Sequence, residues 1–483
     1  MKKVLKAVAV TAAAALAVSC GSTKVAYTEE ELNQAFAAGD YETCISMVQS
    51  NNDKNSAIVY SLDADMLMHL NGDYLGSAKA FMRTQGDMQQ MTKDTSGGKA
   101  FAAAIAGENS VKYAGTTYER ILAYSMRAAN ALALGDVSNA KGVMDTYTGD
   151  YKDVIAPIVA EQKELAEQSE GCLESEKITS ALATLKAVDN LAPGMAGVVT
   201  TIEEVVKVGT GKPAKSDKQY ETSPFLSYLG TVIYAANGDA GHAADFASAL
   251  KTDNARVDVS EDVAVPAGKG RLDVVALSGT IGKRTESGRP TSMGTVPLAN
   301  APLMFKIAYP VFGSQNHAIS AVRVTLSDGT TKTATLVEDF DEAVKTDVAF
   351  KARGAYNRSI FRNITKSAAT IPASIAAITG AKKTLESASN PIQQKAGEMA
   401  YAKAMDGITV GLTAIADAEK ADVRQGAYFP HKASAAGFTV EPGTYSVKVE
   451  YLSGNNSVVE TKEYNNVVVA AGKPTVVVSS CAK

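Results

Sequence analysis

Four of the glycine–aspartate pairs in the first half of the chain are each typical of a tight turn between two helices. They are Gly39-Asp40, Gly72-Asp73, Gly135-Asp136 and Gly238-Asp239. Glycine permits the positive φ that ends a helix, and aspartate can cap the helix that follows. The residue five positions after each glycine is small, which lets antiparallel helices pack closely; these residues are Cys44, Ser77, Ala140 and Ala243.

The spacing of these turns predicts a repeat array. Gly39 and Gly72 are 33 residues apart, close to the period of about 34 residues of the tetratricopeptide (TPR) repeat. The next two intervals are 63 and 103 residues, which are not multiples of that period. We therefore expect a degenerate, TPR-like α-solenoid with insertions over residues 28–250. Such repeats bury their faces only against their neighbours and leave a concave surface for a partner.

After residue 265 the hydrophobic period changes from 3.6 to 2. Strand-like segments occupy residues 265–340, helical patterns return over 341–421, and strands resume over 422–480. The sequence therefore predicts an α+β chain, in which the N-terminal solenoid is followed by a β-sandwich-like domain with a helical insertion. Two small β units separated by helices are the alternative.

The N-terminus has the pattern of a bacterial export signal. Residues 1–19 combine three lysines with an apolar segment too short to span a bilayer, and Ala17-Val18-Ser19 leads to Cys20. This pattern resembles a lipobox, which implies cleavage before Cys20, lipidation of its sulfur and a lipidated tether over residues 20–27. An ordinary signal peptide with an incidental cysteine is the alternative. Because Gly21 rather than aspartate follows Cys20, we expect a lipid anchor in the outer membrane. We further expect the protein on the periplasmic side of that membrane rather than at the cell surface.

Charge narrows the range of partners. The formal net charge is −4, from 48 basic and 52 acidic residues, so the chain has no basic field that would attract nucleic acid. We expect contact with a membrane through the lipid anchor, and with either a protein partner or an envelope polymer. The oligomeric state stays open at this stage.

The sequence contains no recognisable catalytic or metal-binding motif. The four histidines, His69, His242, His317 and His431, do not pair at a metal-ligand spacing. A nucleophile elbow is also missing from the sequence, and no carboxylate pair can be named. We therefore expect no enzymatic activity, no cofactor and no metal site. Acidic residues at 338–342 could bind a cation, but we expect them to favour the start of the following helix through its dipole.

Candidate contact residues follow from the repeat prediction. In a TPR-like array the first helix of each pair lines the concave face. Tyr124 and Arg127 are three residues apart on one such helix, and Asp65 and His69 are four apart on an earlier one. We predict that all four open onto one binding groove. The alternative is that Tyr124 fills a gap in the core and Arg127 is merely solvated.

Several segments, taken together, carry a family resemblance. They are residues 111–115 with 118–122 and 130–136, then 223–228, then 336–339, and finally 421–424 with 429–430 and 441–445. These segments resemble a poorly characterised family of bacterial TPR-containing envelope lipoproteins, and none of them is a catalytic motif. The resemblance implies an assembly or accessory factor of the cell envelope, with a loose link to lipoproteins that stimulate peptidoglycan synthases.

Two classes of function therefore compete. The first is a non-enzymatic envelope lipoprotein that binds a partner through its TPR-like array. The second is a structural or secretion-associated outer-membrane lipoprotein whose copies associate through the helical insertion. An enzyme acting on envelope polymers is a third class, for which the sequence offers no nucleophile and base. The molecular mass in solution distinguishes the first two.

Overall fold

The computed structural model describes residues 27–95, 99–209 and 211–483. The predicted signal peptide, Cys20 and the tether up to residue 26 lie outside these ranges. The fold is mixed α and β, with helices in the N-terminal half and both four-stranded sheets built from later residues. No helix in the described ranges is long and apolar enough to cross a membrane.

Fifteen α-helices are described in these ranges. They are α1 (Glu29–Ala37), α2 (Tyr41–Gln49), α3 (Ala57–Leu70), α4 (Tyr74–Thr95), α5 (Lys99–Ala106), α6 (Thr117–Ala133), α7 (Val137–Asp150), α8 (Ala156–Gly171), α9 (Glu176–Ala187), α10 (Met195–Val208), α11 (Pro224–Ala236), α12 (Ala240–Asp253), α13 (Ser260–Val263), α14 (Phe340–Glu386) and α15 (Pro391–Asp417).

The twelve described strands all follow α13. They are β1 (Gly270–Ser278), β2 (Lys283–Ser287), β3 (Pro290–Val296), β4 (Ala301–Lys306), β5 (Tyr309–Gly313), β6 (Ala321–Leu326), β7 (Thr331–Thr333), β8 (Thr335–Asp339), β9 (Lys432–Val440), β10 (Gly443–Leu452), β11 (Val458–Val469) and β12 (Pro474–Cys481).

The four predicted turns join consecutive helices, and their glycines have the left-handed backbone that the sequence led us to expect. The φ angles of Gly39, Gly72, Gly135 and Gly238 are 75°, 82°, 71° and 77°. The aspartate after each glycine accepts a hydrogen bond from a backbone N–H three residues further on, in the first turn of the next helix. Four helix pairs therefore have the local geometry that glycine and aspartate favour.

The two four-stranded sheets each combine strands from both sides of the helical insertion. One sheet has the order β12-β1-β9-β8 and the other has the order β11-β10-β6-β7. An apolar cluster lies between them, with Leu272, Val274 and Phe438 from the first sheet and Val324 and Val449 from the second. Each sheet therefore contains strands from before and from after the insertion, so neither set of strands forms a sheet without the other.

The central strand β1 is buried at all nine positions, because both faces of its sheet are covered. Leu272, Val274 and Ala276 face the second sheet. Val275 and Leu277, which alternate with them, belong to the largest apolar cluster, which they share with the helices of the N-terminal half. The helical array therefore packs directly on the first sheet, and the expectation of an open concave surface is wrong for this chain.

The long helices α14 and α15 form an antiparallel hairpin between β8 and β9. The apolar face of α14, with Ile364, Ile371 and Ile375, packs in a separate cluster with α9, α10 and the ribbon of β3 and β4. The insertion therefore connects the β-rich part to helices of the N-terminal half instead of projecting alone.

Candidate functional site

Asp65 and His69, two of the four predicted contact residues, are buried in the interior. Only 3% of Asp65 and 1% of His69 is exposed. Asp65 Oδ2 accepts a hydrogen bond from Thr84 Oγ1 at 2.7 Å. The His69 ring lies between Asn130 Oδ1 at 2.6 Å and Ser480 Oγ at 2.7 Å. Burial lowers the pKa of His69 to about 4, against the opposing effect of its hydrogen bond with Asn130, so the imidazole is neutral at pH 7.

Tyr124 and Arg127 are also held by internal partners. The Tyr124 side chain is 3% exposed, its hydroxyl donates to Asp150, and its ring packs edge-on against Tyr147 with 5.4 Å between centroids. Arg127 is half-buried and donates to Gln85 Oε1. Three of the four residues are therefore closed to a partner, and the predicted common groove is wrong. Tyr124 fills the core, as the alternative interpretation held.

The physical reason is that Asp65, Tyr124 and Arg127 have partners on neighbouring helices of the N-terminal half. Other faces of the same first helices are covered by a later segment of the chain. The backbone N–H of Gly426 donates to Glu119 Oε1 at 2.7 Å, and that of Ala427 donates to Asp63 Oδ1 at 2.6 Å. Glu119 and Asp63 lie on α6 and α3, where a repeat array would contact a partner. A Cβ at Gly426 would lie 3.2 Å from Leu62 Cβ, so glycine permits this close approach. The segment just before β9 thus covers the faces of α6 and α3 that carry Glu119 and Asp63.

An open cleft lies elsewhere, between α8, residues 215–221 and the first half of α14. Its volume is about 660 Å³. Apolar side chains, including Val159 and the buried Phe350, form part of its lining. Around them stand acidic and basic side chains: Lys163, Glu167, Glu170, Lys215, Asp217, Glu221 and Arg353.

Some of these charges neutralise each other and some do not. Arg353 Nε lies 2.7 Å from Glu170 Oε1, and Lys215 Nζ lies 3.2 Å from Asp217 Oδ1. Lys163 and Glu167, both exposed on α8, form no ion pair with another residue of the described ranges. Glu221, which is also exposed, likewise has no ion pair within these ranges. The cleft therefore offers one free cation and one free anion on neighbouring turns of α8, with a second free anion at Glu221, beside an apolar wall.

A second cluster brings together residues that sequence reasoning kept apart. His317 Nε2 lies 3.1 Å from Asp341 Oδ2, and His431 Nε2 lies 3.6 Å from the same oxygen. The donor atoms of these three residues lie within 4.8 Å of one another, a grouping suited to a metal ion. The prediction that no metal site exists did not foresee this grouping. The acidic stretch at 338–342 was the only local signal, and the structure shows that its Asp339 caps α14, accepting a hydrogen bond from Asp341 N at 3.1 Å.

Glu338, in the same acidic stretch, is a buried hydrogen-bond acceptor. It accepts hydrogen bonds from Ser223 Oγ, from Tyr220 OH and, at 2.9 Å, from the backbone N–H of Phe225 at the start of α11. Burial raises the pKa of Glu338 to about 7 despite these bonds. This carboxyl group therefore connects β8 to a helix of the array and is closed to a cation from solvent.

Comparison with known proteins adds no relative: no protein-family model matches the chain, and neither a curated protein nor a solved structure matches it.

Proposed function

We propose that this chain is a non-enzymatic envelope lipoprotein that binds a partner as a scaffold, through the cleft between α8 and α14. In this proposal the helical half is a degenerate TPR-like solenoid, the two facing sheets form a β-sandwich, and Cys20 carries the lipid that holds the protein at the periplasmic side of the outer membrane. The four glycine–aspartate turns support the repeat assignment, and the apolar cluster between the sheets supports the sandwich.

The cleft is the observation that carries the proposal. Its volume of about 660 Å³ is within the range of ligand sites, roughly 300–1,000 Å³. Lys163 would pair with a carboxylate, Glu167 with an ammonium group, and Val159 and Phe350 would contact aliphatic carbon. A peptide segment that carries both charges matches this arrangement, whether it belongs to a protein or to the peptide part of an envelope polymer.

Photo-crosslinking in intact cells tests the cleft. A photoreactive amino acid replaces Lys163 in one variant and Asp217 in a second. The matched control replaces Asp328, which is exposed in the turn between β6 and β7. We expect both cleft positions to give the same adduct and the control position to give none. Adducts of equal yield at all three positions, or none in the cleft, would reject the cleft as the binding site.

Charge reversal supplies a second measurement. Lys163→Glu and Glu167→Lys each turn an attraction for the partner into a repulsion, so either should reduce the adduct formed at position 217. The double variant restores one charge of each sign in exchanged positions. Since both residues are exposed, we expect unchanged thermal stability, which separates lost binding from lost folding.

A specific feature favours the alternative of self-association. Three exposed apolar residues, Ile392, Met399 and Val410, lie on one face of α15, because spacings of seven and eleven residues are close to whole helical turns. Their exposed fractions are 83%, 66% and 66%. Under this alternative, copies of the chain associate through the insertion. A photoreactive residue at Met399 would then capture a second copy, and Met399→Lys would lower the molecular mass in solution to that of a monomer.

A further inference from the structure

Four separate segments of the β-rich part meet where the long helix α14 begins. His317 comes from the loop between β5 and β6, Asp341 from the first turn of α14, and His431 from the residue before β9. Gly279, just after β1, lies against both rings: a Cβ there would be 3.1 Å from His431 Cβ and 3.5 Å from His317 Nδ1. The φ of Gly279 is 65°, so glycine at this position permits both the left-handed backbone and the close approach of the two histidines.

The donor atoms lie close enough together to share one cation. The two imidazole rings are stacked, with centroids 3.3 Å apart and planes 14° from parallel, so one ring must turn about its Cβ–Cγ bond for both in-plane lone pairs to meet on one ion. Both Nε2 atoms face Asp341 Oδ2, at 3.1 Å and 3.6 Å. In tetrahedral zinc sites the metal lies about 2.0–2.2 Å from nitrogen and oxygen, so neighbouring donors are about 3.3 Å apart. The observed separations are close to that spacing.

Neighbouring backbone groups hold the ligands in place. Asp341 Oδ1 accepts a hydrogen bond from the backbone N–H of Gly282 at 2.6 Å, which leaves Oδ2 turned toward the histidines. The backbone of His431 is fixed on both sides, because its N–H donates to Ser278 O at 2.9 Å and its carbonyl accepts from Phe340 N at 2.8 Å. Such supporting bonds orient the ligands of protein metal sites.

Two imidazole rings and two carboxylates share this small volume. As neutral donors the rings have one carboxylate oxygen each, Asp341 Oδ2 for His317 and Asp339 Oδ1 for His431, whereas two imidazolium ions stacked at 3.3 Å would repel each other. A divalent cation in place of these ring protons would take both Nε2 lone pairs and the carboxylate charge together. Asp339 Oδ1, 3.3 Å from His431 Nε2, lies beside this position. We propose that His317, Asp341 and His431 form a binding site for Zn²⁺.

The position of this site determines what the metal would do. His431 and Asp341 are buried, but 16% of the His317 side chain is exposed, so the ion has a path from solvent and a water molecule can complete its coordination. The ion would join the loop between β5 and β6, the start of α14 and the entry to β9, beside the end of β1. It would therefore stabilise the junction between the insertion and the first sheet, independently of the cleft.

Metal titration of the full chain tests the proposal. The protein, purified without a histidine tag and treated with a chelator, is titrated with Zn²⁺ and with Mg²⁺, and bound metal is measured by mass spectrometry together with the thermal midpoint. The variants are His317→Ala and Asp341→Asn. The matched control is His242→Ala, which removes an exposed histidine elsewhere on the surface.

We expect one equivalent of Zn²⁺ to bind to the wild type and to His242→Ala, and to raise the thermal midpoint of both. His317→Ala and Asp341→Asn should each weaken binding by at least about tenfold, and Mg²⁺ should have no such effect, because it prefers oxygen ligands. Because His317 is a partly exposed loop residue, its variant should keep the circular dichroism spectrum of the wild type. No Zn²⁺ bound to the wild type, or equal binding by wild type and both variants, would overturn the proposal.

Discussion

His69 on α3 is hydrogen-bonded to Ser480 on the last strand, with 2.7 Å between Nε2 and Oγ and 411 residues of chain between them. The other ring nitrogen lies 2.6 Å from Asn130 Oδ1 on α6. One imidazole thus connects two helices of the array to the edge strand β12. The helical half and the first sheet share a core here, so we expect them to unfold together.

Replacing His69 by alanine should destabilise the whole chain. The change leaves the buried Asn130 amide and the Ser480 hydroxyl without their partner, at a cost of about 1–3 kcal/mol in the free energy of unfolding. Chemical denaturation followed by circular dichroism measures this cost. His242→Ala, which removes an exposed histidine, should change the free energy by no more than about 0.5 kcal/mol. Two separate transitions in the wild type would contradict a shared core.

The protonation of His69 makes the stabilising effect of its hydrogen bonds to Asn130 and Ser480 depend on pH. Its folded-state pKa is about 4 and its usual value is 6.5, so the unfolded chain binds the proton more tightly. Its contribution to stability is therefore complete above pH 6.5 and falls as the pH drops toward 4. His69→Gln should flatten the loss of stability over this interval in denaturation curves taken at several pH values. An unchanged slope would show that His69 does not titrate in this way.

Asp65 should give the free energy of unfolding the opposite pH dependence. Burial raises its pKa to about 7 from 3.8, with the hydrogen bond from Thr84 opposing, so the folded state favours the protonated form. Its contribution is complete below pH 3.8 and is lost as the pH rises through 7. Asp65→Asn keeps an oxygen that can accept the hydrogen bond and removes the charge, so it should raise stability at pH 8 relative to pH 4. Asp406→Asn, at an exposed position on α15, should leave the pH profile unchanged.

The turns of the helical half could be predicted from sequence, because their chemistry is local. Glycine supplies the positive φ, aspartate the cap and a small residue the close approach, all within six positions. The boundaries of the insertion were also predictable, since α14 and α15 span 340–417 where 341–421 was expected. Periodicity alone separates such long helices from the strands around them.

The predicted binding residues failed for a reason that local sequence does not contain. Tyr124 and Asp65 do lie on first helices, but their side chains turn to the neighbouring second helices, toward Asp150 and Tyr147 on α7 and toward Thr84 on α4. The sheet that packs on the array is built more than 140 residues after Tyr124. The histidine cluster was missed for the same reason, because His317, Asp341 and His431 are separated by 24 and 90 residues. Contacts of this kind depend on strand order, which a single sequence does not determine.

The proposed lipid anchor depends on Cys20, which lies outside the described residues. Because its sulfur is the only predicted attachment point for lipid, Cys20→Ser should convert a membrane-bound protein into a soluble or unprocessed one. Cell fractionation with detergent extraction measures the change. Cys44→Ser is the matched control, since Cys44 is a buried core residue and carries no predicted lipid. A Cys20→Ser protein that still fractionates with membranes as a mature species would reject the lipoprotein proposal.

The last prediction separates the backbone role of a turn glycine from its packing. A Cβ at Gly72 or Gly135 would have no atom within 4 Å, so the cost of Gly72→Ala or Gly135→Ala comes from positive φ alone. We expect each to lower the free energy of unfolding by about 1 kcal/mol. Gly142, inside α7, also has open space around it but has no positive φ. Gly142→Ala should therefore raise the free energy of unfolding by about 0.5–1 kcal/mol. Denaturant titration of the three variants measures this difference in sign, and equal effects at Gly72 and Gly142 would contradict the left-handed turn.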